Sequence, residues 1–379
     1  ILKFTSDPEV ISFAAGNPAP EAFPSKEISE IAANIFADQP VNALQYSVTE
    51  GYGPLREALK ARLKKQNCFD PERDELIITS GGQQASELSC KVFLNPGDTL
   101  ICEAPSFVGC LNAFKSYNSK LVGITLEDDG MDLNALEDAL KADPNTKLIY
   151  VISNFQNPTG LCTSYEKRKA IYELAKKYDV MILEDNPYGD IRFEGENIPS
   201  IKTLDTDGRV IYAGSFSKTL APGMRVGFVC APKEVIQKIV VCKQVSDVHT
   251  NILAQMICCE YMTKYDYEAH LEDIRKIYRH KCGLMLDNIK SNFSSCIKYT
   301  KPQGGLFIWC TLPDGSDMQS FCKKAVAEYK VAVVPGTAFM ISEEDKTSSF
   351  RLNFSTPTDE QLVKGCHMLG GLSKQLFGE

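Results

Sequence analysis

From about residue 75 to residue 230 the chain repeats one pattern, a short run of β-branched residues followed by an amphipathic stretch. The runs are ELIIT, TLICE, KLVGIT, KLIYVIS, VMILED, RVIYAG and RVGFVC. Strand, helix, strand repetition with apolar runs of this kind implies a largely parallel sheet covered by helices on both faces. The intervening helices are legible as QQASELSCKVFL, MDLNALEDALKA and SYEKRKAIYELAKKY, the last behind a serine or threonine start signal. Pro54 opens PLREALKARLKK as a first-turn proline. The region from about residue 232 to residue 290 reads as mainly helical and contains the bridge to a second unit. Beyond it LFIWCTL, VAVVPG and FRLNFS are strands among helices, a smaller α/β unit. A length of 379 residues suits one large domain plus a smaller one.

With 44% hydrophobic and 24% charged residues the composition excludes a disordered chain. The 41 basic and 49 acidic residues leave a net charge of −8, which repels nucleic acid and anionic lipid. No apolar stretch is long enough to span a bilayer, and no basic segment followed by an apolar one opens the chain, so a soluble, cytoplasmic protein is expected. A chain that opens on Ile1 and not on methionine is expected to continue upstream. The fourteen cysteines are scattered through apolar segments such as LICEAP and GFVCAP, as buried thiols in a reducing compartment are. There is no C-x-x-C, and His249, His270, His280 and His367 lack metal-ligand spacing, so no metal is expected.

Ligands of open parallel sheets sit beyond the carboxyl ends of the strands. Polar and glycine-rich groups recur there: Ser80-Gly81-Gly82-Gln83, Ala104-Pro105-Ser106-Phe107, Asn154 to Gly160, Asp185-Asn186-Pro187-Tyr188, and Ser215-Phe216-Ser217-Lys218. Gly81-Gly82-Gln83 opens a helix, whose free N–H groups suit a phosphate, although a tight turn alone would also call for glycine. Asp185 ends an apolar strand, where a carboxylate either caps a helix or meets a cation. Lys218 lies between loop residues, a place for a solvated side chain. Yet Ser215, Ser217 and Arg225 surround it in sequence, and hydroxyls, a guanidinium and an amine together suit a phosphate-bearing cofactor held by a covalent imine.

In this order, SNFQNPTG, EDNPYGD and SFSKTLAPGMRVG resemble the motifs of class I/II aminotransferases of fold type I, which use pyridoxal phosphate. Through Phe-Gln-Asn-Pro-Thr-Gly and LQYSVTEGYGPLREAL the chain is most similar to the aromatic, 2-aminoadipate and kynurenine aminotransferase branch, and the similarity runs from SFAAGNPAP to FRLNFS. The resemblance implies an α/β fold with three parts. A three-layer large domain over 41–274 is built on a mainly parallel, seven-stranded sheet. A small C-terminal domain covers 275–379, and an N-terminal arm, 1–40, joins the small domain and the substrate mouth.

It also implies roles. Lys218 links to pyridoxal 5'-phosphate and, once displaced by substrate, shuttles the α-proton. Asp185 pairs with the pyridine nitrogen, Tyr188 and Asn157 bond the ring oxygen, and Phe107 lies on the ring face, where relatives often carry tyrosine. Gly82, Gln83, Ser215, Ser217 and Arg225 hold the phosphate, with Tyr46 reaching it from the neighbouring subunit of a homodimer. Arg351 clamps the substrate α-carboxylate with help from Asn157, and Gly16 lines the mouth through its backbone. The activity implied is transfer of an amino group between an α-amino acid (aromatic, branched or 2-aminoadipate-like) and a 2-oxo acid by a ping-pong cycle. Two alternatives share the machinery or the fold: a C–S β-lyase, and the effector domain of a transcription regulator, which a basic winged-helix domain would precede. Gly51-Tyr52-Gly53 reads as a turn into a helix, Trp309 as a core residue of the small domain, and Cys258-Cys259 as buried on a helix.

Overall fold

The computed structural model describes residues 9–342 and 344–378. Residues 1–8 of the arm lie outside the described residues; every site residue named above lies within them. A short strand, β1 (Ile11–Ser12), precedes the seven apolar runs. These form β2 (Asp74–Thr79), β3 (Thr99–Ala104), β4 (Lys120–Glu127), β6 (Thr146–Val151), β7 (Met181–Asp185), β8 (Val210–Ser215) and β9 (Gly227–Pro232). The large sheet has eight strands, in the order β2-β9-β8-β7-β6-β3-β4-β5, because a two-residue β5 (Gly130–Met131) folds back on β4. A strand that short leaves no apolar run to read. From β4 through β3, β6 and β7 to β8 the pairing is parallel, and β9 runs against both β8 and β2.

Alternation along the strands builds the three layers. Leu100, Cys102, Leu148, Tyr150, Leu183, Ile211 and Ala213 enter one core. Their sequence neighbours Ile101, Ile149, Val151, Ile182 and Val210 enter a second. Both faces are apolar because helices cover both. After β3 the chain steps out to β4 and returns to β6 on the other side of β3, so the strand order reverses there and a crevice opens at the carboxyl ends.

The helical region contains Lys233–Ser246, Ile252–Lys264 and Tyr267–Asn292. The expected boundary at 274/275 falls inside the last of these, a continuous helix of 26 residues. The smaller unit holds an antiparallel sheet ordered β10 (Lys298–Tyr299), β11 (Phe307–Thr311), β14 (Ser349–Asn353), β13 (Val334–Pro335). VAVVPG is therefore not one strand. Its first half, β12 (Val331–Ala332), pairs in parallel with β1, and only its second half joins β14. The arm is thereby stitched to the small unit: Phe13 donates its N–H to Ala332, and Asn353 donates to Phe13 (both 2.8 Å). Trp309 packs edge-on against Phe339, and Cys258 and Cys259 are buried on their helix. Among the described residues no helix is long and apolar enough to cross a membrane.

Candidate active site

At the end of β2, Gly81 adopts φ +81° and caps the helix Gly82–Phe93. An L side chain would be strained in that conformation, and a Cβ at Gly81 would stand 2.4 Å from Arg225 Nη2. A Cβ on Gly82 would stand 3.6 Å from Ser215 Cβ. Ser215 Oγ donates to Ser217 Oγ at 2.9 Å and accepts from the Ser217 N–H at 3.1 Å. Free N–H groups of a helix start, two hydroxyls and a guanidinium thus converge on one concavity able to hold a dianion. Arg225 donates to the carbonyls of Ser80 and Pro222 (both 3.3 Å) and pairs with no carboxylate among the described residues.

A second set of groups, absent from the motif reading, braces this turn. Gln84 Oε1 accepts from the Ser80 N–H and from Lys243 Nζ (both 2.7 Å). Asp247 Oδ2 accepts from Ser80 Oγ at 2.7 Å and Gln84 Nε2 at 2.8 Å.

Asp185 is buried at the end of β7 and caps no helix. Burial pushes its carboxyl up to about 7, against the hydrogen bond it accepts from Tyr150. A cationic nitrogen in the crevice would supply the charge this carboxylate lacks. Tyr188, also buried, has its phenol pushed above its ordinary range by burial, while the Arg351 guanidinium and the Asn157 amide facing it act in the opposite sense. Phe107 starts the helix Val108–Ser116, its ring over Gly109, where a Cβ would come within 2.6 Å of both Phe107 Cζ and Gln83 Oε1. Gln156 ties the Asn157 loop to β3: its Nε2 donates to the Pro105 carbonyl at 2.8 Å and to Glu103 Oε2 at 3.2 Å, and its Oε1 accepts from Thr159 Oγ1 at 2.7 Å.

Lys218 stands in the crevice with its Nζ 2.7 Å from the Gly16 carbonyl oxygen. Burial, then the positive charges of Arg351 and Arg225, lower its pKa to about 8. Arg351, on β14, donates from Nη1 to Asn157 Oδ1 and from Nη2 to the Ala14 carbonyl (both 2.8 Å). Its guanidinium covers the Phe307 ring at 4.2 Å, and its Nε is buried without a partner. Burial lowers the pKa of this side chain to about 10, with Tyr188 acting against the shift. A buried guanidinium without a carboxylate is costly unless an anion joins it.

Contacts and charges thus link Lys218 to Gly16, Arg351 and Arg225, and Arg351 to Asn157 and Tyr188, with Asp185 beside Tyr188; Gly82, Ser215 and Ser217 gather at Arg225, and Gln83 meets Phe107 across Gly109. Tyr46 stands apart from them. Its side chain is on the surface, 82% exposed, with its ring edge-on to His249. Neither Tyr150 nor Glu103 has a role in the sequence reading, which places Gln156 in a motif without one. The signal for Tyr150 was available, since a phenol in a strand buried on both faces must find a partner.

An amine of lowered pKa, a buried carboxylate and an anion cradle that a Cβ would fill fit a pyridoxal phosphate site. Comparisons agree. Residues 8–369 match the family model "Aminotransferase class I and II". The aromatic-amino-acid aminotransferase 1 of Thermococcus litoralis is 40% identical over 99% of this chain and 90% of its own length. A multiple substrate aminotransferase of Thermococcus profundus superposes with a TM-score of 0.95 at 39% identity, over 99% of this chain and 93% of that one. The α-aminoadipate aminotransferase of Thermus thermophilus, complexed with N-(5'-phosphopyridoxyl)-L-leucine, does so with a TM-score of 0.90 at 37% identity, over 97% and 93%. The chain belongs to the class I and II aminotransferases. It is a pyridoxal-phosphate-dependent transaminase of the aromatic, aminoadipate and kynurenine type.

Proposed function

We propose that the chain moves the amino group of an aromatic, branched or 2-aminoadipate-like α-amino acid to a 2-oxo acid, both substrates using one site in turn. The observation that carries this reading is the Arg351–Asn157 pair beside Lys218: a buried fork with a free Nε, suited to a carboxylate in bidentate geometry. Arg351 binds the α-carboxylate, and Asn157 holds the fork in plane. Lys218 Nζ is placed to take up the α-proton and to give a proton back, for which a pKa of about 8 is a better match than that of a solvated lysine. Pyridoxal phosphate, when bound, supplies the electron sink for the α-carbon; Asp185 and Tyr188 would hold its ring, and Gly82, Gln83, Ser215, Ser217 and Arg225 its phosphate. Phe107 covers one face and excludes water, and closure of the small unit, 275–379, brings Arg351 onto the substrate.

The names of the relatives support the substrate range: one acts on aromatic amino acids, one on multiple substrates, and one, named for α-aminoadipate, carries a leucine adduct. A homodimer belongs to the same reading. Val41, Leu44, Tyr46 and Val48 are exposed, as are Val241, Val245 and Val248, and His249 links the two groups through Tyr46. Tyr46 would then reach the partner's phosphate cradle.

The test is a half-reaction screen, following the cofactor's absorption as each amino acid is added in the absence of an acceptor. Wild type is expected to be converted to the aminated cofactor form by aromatic, branched and 2-aminoadipate-like amino acids, and Lys218→Ala by none. Release of ammonia with no oxo acid present would favour β-elimination instead. Sedimentation of Tyr46→Ala and wild type checks the dimer, which a monomeric wild type at micromolar concentration would exclude.

A further inference from the structure

Tyr150 is a phenol in the apolar run KLIYVIS, and no solvent reaches it. In the register of β6 against β7 it stands opposite Leu183, so it shares a sheet face with Leu183 and, two residues further, Asp185. Its hydroxyl donates to Asp185 Oδ2 at 2.9 Å. Phe114 meets the ring edge-on, with 5.0 Å between centroids, which fixes the ring in place. Burial, together with the neighbouring Asp185 and Cys110, pushes the phenol far above its ordinary range, so it acts as a donor at every working pH.

A carboxylate facing a ring nitrogen can share its proton in two ways, as an ion pair or as a neutral acid against a neutral ring. A hydroxyl bonded to the carboxylate favours the ion pair, because a charged oxygen is the stronger acceptor. We propose that Tyr150 is a positioning residue for the transamination chemistry: through Oδ2 it orients the Asp185 carboxylate, leaves Oδ1 for the cofactor's pyridine nitrogen, and keeps the shared proton on that nitrogen. The inference rests on the reading of Asp185 as the ring nitrogen's partner.

The experiment loads each protein with pyridoxal phosphate labelled with nitrogen-15 in the ring and reads the nitrogen resonance beside kcat and KM. Tyr150→Phe keeps the ring and removes the donor. Its resonance is expected to move toward the unprotonated position, with kcat lowered about tenfold and KM within about twofold of wild type. Replacing Tyr150 by 3,5-difluorotyrosine, a stronger donor of similar shape, is expected to move the resonance the opposite way, and decides the matter if Tyr150→Phe does not fold. Asp185→Asn separates the two assignments. If it moves the resonance while both Tyr150 replacements leave it in place, or move it in the same direction, the role of Tyr150 is overturned and that of Asp185 stands. If Asp185→Asn also leaves the resonance unmoved, the Asp185 reading itself falls.

Discussion

Lys218 Nζ donates to the carbonyl oxygen of Gly16 at 2.7 Å, across the seam between the large sheet and the N-terminal arm. The contact joins an amine just past the end of β8 to the irregular segment of the arm that follows β1, so the arm's position and the lysine's environment are one property. Burial and two neighbouring guanidinium groups hold the amine at about 8 from an ordinary 10.5. In the cofactor-free protein, a small acylating reagent is therefore expected to label Lys218 with a midpoint near pH 8, well below surface lysines. Bound pyridoxal phosphate should protect it. Peptide mass spectrometry across pH checks this, and labelling that tracks the surface lysines would remove the basis for a neutral amine.

Gly81 can be tested without touching a polar group. Gly81→Ala places a β-carbon on Arg225 at a φ of +81°, so it both strains the turn and displaces the guanidinium. A loss of about 1–3 kcal/mol in stability is expected. Cofactor affinity should fall by at least about tenfold, as loss of one charge-assisted bond implies. Gly53→Ala, where a Cβ meets nothing within 4 Å, serves as the control and should change neither quantity. Equilibrium unfolding and cofactor titration give both numbers, and equal behaviour of the two variants would show that the cradle is not a close fit.

The sheet was legible because each of its long strands is an apolar run, and amphipathic helices separate these strands from β2 to β7. Ser164 does accept from the Lys167 N–H at the start of its helix. The site was legible wherever the chemistry lies at a strand end in a distinctive motif, as with Asp185, Lys218 and Arg225. What the sequence hid has a common physical origin. The split of VAVVPG depends on which strands approach it from elsewhere in the chain, and the pairing of Ile11 with Val331 has no local signal. The contacts of Gly16 and Ala14 are made by carbonyls, which every residue carries. The Lys243–Asp247 brace beneath Ser80 joins a helix to a turn far away in sequence, and only the folded geometry brings them together.

Arg351 holds Asn157 and Ala14 with two nitrogens in one plane. Lysine could reach one of these partners at most, and would present a point charge where a carboxylate needs a fork. Arg351→Lys is expected to lower kcat/KM for amino acids about a hundredfold, since charge-assisted bonds contribute roughly 1.5–3 kcal/mol each. Cofactor affinity should remain near wild type, because no phosphate-cradle residue bonds to this side chain. Presteady-state half-reactions at varied amino acid concentration separate the two effects. An unchanged saturation curve would remove Arg351 from the substrate site.

Glu103 offers a test of buried electrostatics independent of catalysis. Its carboxyl lies at the end of β3 and accepts from the Ile152 N–H at 3.1 Å and from Gln156 Nε2. Burial pushes its pKa up to about 8 from an ordinary 4.5; its two hydrogen bonds pull the other way, and the nearby Asp185 adds to the rise. The folded chain thus keeps this proton up to about pH 8, whereas the unfolded chain releases it near 4.5. Between those values the native state binds more protons than the unfolded one, so the contribution of Glu103 to stability falls as pH rises. Glu103→Gln retains an oxygen for both donors and cannot ionise. Relative to this variant, cofactor-free wild type should be nearly equal in stability below about pH 4.5 and lose ground steadily up to about pH 8, then level off. The slope approaches roughly 1.4 kcal/mol per pH unit. Urea unfolding of both proteins across this range gives the difference directly. A flat difference, or one in which wild type gains with rising pH, would mean that the carboxyl is already ionised in the fold and that Gln156, which positions the Asn157 loop, is held by a charge and not by a neutral acid.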